Sequence, residues 1–169
     1  MTALLMTRRL AFLIPALACG VLLAVGLYLQ VVEGLTPCPL CIFQRVAFMV
    51  VGGVALIAAV HGPRTGGARV YAGVLGLSAL TGGGIAARQV WLQHLPADRI
   101  PECGPGLDFL LEVYPLTEAI QTVLRGSGDC AKVDWTLLGF SIAECALAAF
   151  IAVFIYTVML YRARRPSIS

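Results

Sequence analysis

Charge is scarce in this chain. Only 12% of its 169 residues are Asp, Glu, Lys or Arg, where soluble domains carry roughly a quarter. With 59% hydrophobic residues and a mean hydropathy of +0.89, this scarcity excludes an ordinary soluble domain and reads as a membrane protein. No basic cluster interleaved with aromatics is present, which argues against nucleic-acid binding. From Leu10 to Val32 there is no charge at all, long enough to cross a bilayer. Arg8-Arg9 precede that run as they would in a signal peptide. However, the run continues well past Cys19 with no small-residue cleavage site, so the expectation is a first transmembrane helix.

Three further apolar runs follow, at about 42–60, 70–89 and 137–161. The run at 70–89, the third span of the chain, is rich in glycine, which lets membrane helices approach closely. His-Gly-Pro-Arg-Thr-Gly-Gly-Ala-Arg at 61–69 is a short turn between the second and third. The remaining links are 33–41 and the long polar segment 92–136. Within the latter, 107–124 has an amphipathic pattern interrupted by Pro115, expected as a short helix along the membrane surface. The expected fold is an all-α, single-domain bundle of four transmembrane helices with one long loop outside.

Four spans place both termini on one side. Arg8, Arg9, Arg64, Arg69, Arg162, Arg164 and Arg165 fall on that side, and every acid except Glu144 falls on the other or in its links. The positive-inside rule then makes the termini cytoplasmic. Of six cysteines, Cys38, Cys41, Cys103 and Cys130 face outward, where disulfides persist, while Cys19 and Cys145 stay in the membrane as packing residues. Two outward pairs resemble a relay more than a scaffold, because a four-helix bundle already holds itself together.

The chemistry concentrates in Thr36–Arg45, T-P-C-P-L-C-I-F-Q-R. A C-x-x-C pair can be a static disulfide, a metal site or a redox couple. Pro39 suits the first position of a helix, which puts Cys38 near the N-cap and Cys41 in the first turn. The helix N-terminus then favours a thiolate at Cys41. Arg45, one turn deeper on the same face, adds a cation at the edge of an apolar segment, where charge is costly and usually functional. Those features favour cycling.

The ordered set C-P-L-C-I-F-Q-R at 38–45, A-R-Q-V-W-L-Q at 87–93, Cys103, S-G-D-C at 127–130 and W-T-L-L-G-F-S at 135–141 resembles the disulfide-bond formation protein B (DsbB) family. In that family's route, DsbA, DsbB and quinone together keep the bacterial periplasm oxidising. The resemblance implies a thiol:quinone oxidoreductase of the inner membrane. It implies Cys103–Cys130 as the exchange disulfide for a DsbA-like thioredoxin-fold partner, and Cys38–Cys41 as the inner disulfide that passes electrons to ubiquinone or menaquinone from the membrane pool. Arg45 would bind or polarise the quinone, and no metal is implied. Some members carry a His near the outer end of the third helix. Here that turn reads Arg88-Gln89, so no His role is carried over. Vitamin K epoxide reductase-like enzymes use similar parts, but their C-x-x-C is expected late in the chain. A metal-handling protein could use the four outward thiols, but neither His lies near them in sequence, and Arg45 would repel a cation. A bundle merely stapled by disulfides is the third alternative.

Overall fold

The computed structural model describes residues 2–101, 107–133 and 135–163. Three long helices come first: α1 (Thr2–Val31), α2 (Pro39–His61) and α3 (Thr65–Gln93). The loop after them carries a 3-10 turn at Ala97–Arg99 and three short helices, α4 (Leu107–Val113), α5 (Leu116–Arg125) and α6 (Gly128–Ala131). A two-residue hairpin, β1 (Thr136–Leu137) and β2 (Phe140–Ser141), leads into α7 (Ile142–Ala163). The long helices α1, α2, α3 and α7 supply four segments long and apolar enough to cross a membrane. The protein is an all-α, multi-pass membrane bundle.

Local chemistry sets the boundaries. Cys38 is the N-cap of α2 and Pro39 its first residue, as the sequence predicts. Gly62 ends α2 at φ 60 and ψ 50, donating its N–H to Ala58 O at 3.0 Å, a left-handed cap that glycine adopts without a Cβ penalty. The fourth apolar run begins at Leu137, yet α7 begins at Ile142, because Leu137 and Phe140 are spent on the hairpin. Ser141 and Glu144 form a capping box at that start. Ser141 donates its N–H to Glu144 Oε2 at 2.7 Å, and Glu144 donates its N–H to Ser141 Oγ at 3.2 Å. Glu144, the one acid in an apolar run, is thereby a helix-start group.

The long helices form an open arc. α1 packs on α2, α2 on α3 and α3 on α7, while α1 and α7 barely meet. One link between these two is Tyr156, whose hydroxyl donates to Ala11 O at 2.8 Å near the end that holds the termini. Toward the cysteine-bearing end α1 and α7 are separated by a cavity.

At mid-depth Phe48 of α2 stacks on Phe150 of α7, centroids 4.0 Å apart and planes 8° from parallel. Gly82 makes room for that stack, since a Cβ there would lie 2.4 Å from the Phe150 ring. Gly82→Ala is therefore expected to cost about 1–3 kcal/mol through forced repacking. Gly84→Ala, where a Cβ meets nothing within 4 Å, is expected to be neutral or slightly stabilising. Thermal unfolding of the two detergent-solubilised variants checks this, and equal midpoints would contradict it.

Candidate functional site

The site is built on the first turn of α2. Cys38 has φ −69 and ψ 161, and its sulfur accepts the Cys41 N–H at 3.4 Å. That N-cap geometry turns both side chains to one side. Both are free thiols here, with the two sulfurs 3.2 Å apart.

Cys130, on α6, is the third sulfur. It is 1% exposed, in an apolar cluster with Leu40, Leu92, Leu110, Ala119 and Val123. The Cys38 thiol hydrogen-bonds to it. Two contacts dock the loop that carries Cys130. Arg88 of α3 lies over the Trp91 ring at 4.3 Å and donates to the last carbonyls of α5, Leu124 O at 3.2 Å and Arg125 O at 2.7 Å. Gly126, at φ 81, sits so close to Leu92 that a Cβ would lie 2.3 Å from it.

These contacts decide which sulfur holds its proton. Cys130 is pulled down to about 6, first by the hydrogen bond from Cys38, then by the backbone N–H groups of Leu40 and Ser127 and the Ser127 hydroxyl, with burial opposing. Cys38 is pushed up, because its proton is shared with the Cys130 and Cys41 sulfurs and burial disfavours its thiolate. A group with a lowered pKa is charged above that value. The reduced chain is therefore expected to carry a Cys130 thiolate at neutral pH and to lose it as the pH falls through about 6. Thiolate absorbance in the ultraviolet measures this. The step should vanish in Cys130→Ser and move to higher pH in Cys38→Ala, which lacks the donor. A step unchanged in Cys38→Ala would contradict the assignment.

Arg45 reaches from α2 to α1. It donates to Gln30 Oε1 and, at 2.9 Å, to Gly26 O. Its half-buried guanidinium lines the cavity between α1 and α7, about 230 Å³, together with Cys38 and Cys41. Leu22, Leu29, Phe48 and Ile142 give this cavity apolar walls.

Of the predicted residues, the fold brings Cys38, Cys41, Cys130 and Arg45 to one place. Cys103 lies outside the described residues. Sequence reasoning missed Gln44 and Gln89, both 3% exposed and hydrogen-bonded to each other beside the sulfurs. Their signal was available, since an amide within an apolar span needs a partner. It also missed Cys145, which lines the cavity. Cys19, by contrast, packs against Gly52, where a Cβ would lie 3.1 Å from its own.

A membrane bundle with two thiols 3.2 Å apart at the head of one span, a third thiol against one of them, and a largely apolar cavity beside them, defines a membrane thiol–disulfide oxidoreductase. A family model described as "Disulfide bond formation protein DsbB" matches residues 8–160. The chain is 52% identical over 165 residues to "Disulfide bond formation protein B" of Azoarcus sp. (strain BH72), covering 98% of this chain and 99% of that one. It is 50% identical to the protein of that name from Nitrosococcus oceani, with 85% of each covered. It is 53% identical to that from Marinobacter nauticus, with 81% of this chain and 82% of that one covered. The chain belongs to the DsbB family of disulfide bond formation proteins and is a disulfide-generating oxidoreductase of the membrane.

Proposed function

We propose that this protein re-oxidises a DsbA-like dithiol protein in the periplasm and passes the electrons to a quinone in the inner membrane. The termini are cytoplasmic, and the two pairs Cys38/Cys41 and Cys103/Cys130 are periplasmic. The carrying observation is continuity, with Cys130 against Cys38, Cys38 against Cys41, and Cys41 on the cavity that Arg45 lines.

The relay runs through this chain's own sulfurs. A partner thiolate attacks Cys103 of a Cys103–Cys130 disulfide, giving a mixed disulfide and freeing Cys130. The partner's second thiol then attacks that mixed disulfide, so the partner leaves oxidised and Cys103 leaves as a thiol. The freed Cys130 attacks Cys38 of the Cys38–Cys41 disulfide. That choice follows from contact, since Cys130 touches Cys38 and α2 offers it the Leu40 N–H. The bond formed is Cys38–Cys130 and the sulfur displaced is Cys41, facing the cavity. Cys103 then attacks Cys130 of that bond and Cys38 leaves as a thiol, which restores the exchange disulfide and leaves the inner pair reduced. The net change is two thiols and a quinone to one disulfide and a quinol.

The cavity suits a quinone. It has a cation at one side, apolar walls, sulfur at its head, and a side open between α1 and α7 through which an isoprenoid tail can pass into lipid. When bound there, a quinone supplies the two-electron acceptor that re-forms Cys38–Cys41. Arg45 supplies charge-assisted donors to an oxygen that gains negative charge.

The test is to mix the purified chain, a reduced DsbA-like protein and a ubiquinone or menaquinone analogue. Quinone absorbance should fall in step with loss of partner thiols. Partner oxidation without quinone loss would overturn the reading.

A further inference from the structure

The relay leaves one buried group without a task. Gln89 of α3 is 3% exposed, yet its amide nitrogen lies 3.2 Å from Cys41 Sγ and 3.4 Å from Cys38 Sγ. An amide NH2 has two hydrogens and accepts nothing. Its orientation is set from the other end, because Gln89 Oε1 accepts from Gln44 Nε2 at 2.6 Å. Gln44 is also 3% exposed and lies three residues after Cys41 on α2. The same oxygen lies 3.5 Å from Cys41 Sγ, where it can accept that thiol's proton. One amide can thus meet Cys41 in either form, donating to a thiolate and accepting from a thiol.

We propose that Gln89 is a catalytic residue whose N–H receives the negative charge on Cys41 when Cys130 displaces it, and that Gln44 is the positioning residue that locks this amide. The inference rests on the relay under Proposed function. In that step the Cys130 thiolate forms a bond to Cys38, the Cys38–Cys41 bond breaks, and its electron pair leaves on Cys41. The total charge and the number of disulfides are unchanged. A disulfide sulfur is neutral and accepts weakly, whereas a thiolate is a full charge in a site shielded from water. A fixed donor therefore stabilises the product and the transition state leading to it more than the starting disulfide. The donor is also neutral and does not titrate, so it assists without adding a charge beside Arg45. A pair of amides could instead serve only as glue between helices. Such a pair would have no reason to spend both hydrogens on sulfur, and it would not change the redox equilibrium of the cysteines.

That difference is the test. The chain carrying Cys103→Ser and Cys130→Ser retains only the inner pair on the outward face. This parent is equilibrated with glutathione mixtures, trapped by thiol alkylation and read by gel shift. Adding Gln89→Met should move the equilibrium about tenfold toward the Cys38–Cys41 disulfide, about 30 mV more negative, because the reduced form has lost its donor. Adding Gln44→Met, which leaves Gln89 in place but unlocked, should move it the same way by less. A parent that cycles while both variants keep its equilibrium overturns the role of Gln89 and leaves the relay standing. If Gln89→Met fails to fold, Gln44→Met decides, and an unmoved equilibrium there overturns the role. A parent pair that never forms a disulfide in the series overturns the relay and this inference together.

Discussion

Cys41→Ser is expected to reduce quinone turnover by the reduced partner to below about 0.1% of the parent rate. A hydroxyl can neither close a disulfide with Cys38 nor hold the charge that a thiolate holds. The loss should be specific to the last step. Cys38 no longer has an inner partner, but it still touches Cys130. With Cys103→Ser added, so that Cys103 cannot reclaim Cys130, oxidised glutathione should therefore convert the variant to a stable Cys38–Cys130 disulfide, with two thiols oxidised and one glutathione disulfide reduced. Mass spectrometry of unreduced peptides would reveal that bond. A variant that still reduces quinone at a few per cent of the parent rate would remove Cys41 from the role of electron donor. A variant that forms no Cys38–Cys130 bond would remove the contact from the pathway.

Arg45→Met carries the second-largest expected effect. The guanidinium lines the cavity and is held in place by Gln30 and Gly26. Charge-assisted hydrogen bonds are worth about 1.5–3 kcal/mol. Their loss should slow quinone reduction, or raise its apparent KM, by about tenfold to a hundredfold. The exchange between the partner and Cys103–Cys130 should keep its rate, because Arg45 is bonded to Gln30 and Gly26 of α1 and not to Cys130. Arg45→Lys should fall between the two, since a point charge cannot bond Gln30 and Gly26 as a planar fork does and still face the cavity. Stopped-flow measurement of each half-reaction separates the cases. A folded Arg45→Met with normal quinone kinetics would sink the assignment.

Sequence alone determined the parts of this protein that depend on composition and on near neighbours in the chain. Scarce charge and four long apolar runs require a membrane bundle, because lipid leaves a helix's backbone no other partners. Pro39 after Cys38 determines the start of α2 and the turn on which the pair sits, and Arg45 follows at one turn's spacing. Even the start of α7 was legible, since Ser-x-x-Glu at 141–144 is a capping-box pattern, although Leu137, Leu138 and Phe140 hide it in a longer apolar run.

What only the tertiary structure decided are the contacts between residues far apart in the chain. Cys130 could in principle reach Cys38 or Cys41. Docking of its loop through Arg88 and Gly126 puts it on Cys38. Gln44 and Gln89 are 45 residues apart, and each is unremarkable in its own run. Their pairing over the sulfurs exists only because α2 and α3 pack side by side. Cys145 looks like any small packing residue until the arc of helices leaves it on the cavity wall. Hydropathy states how much of each helix avoids water. It says nothing about which helix meets which, and in a bundle that stays open between α1 and α7 the site is made by that choice.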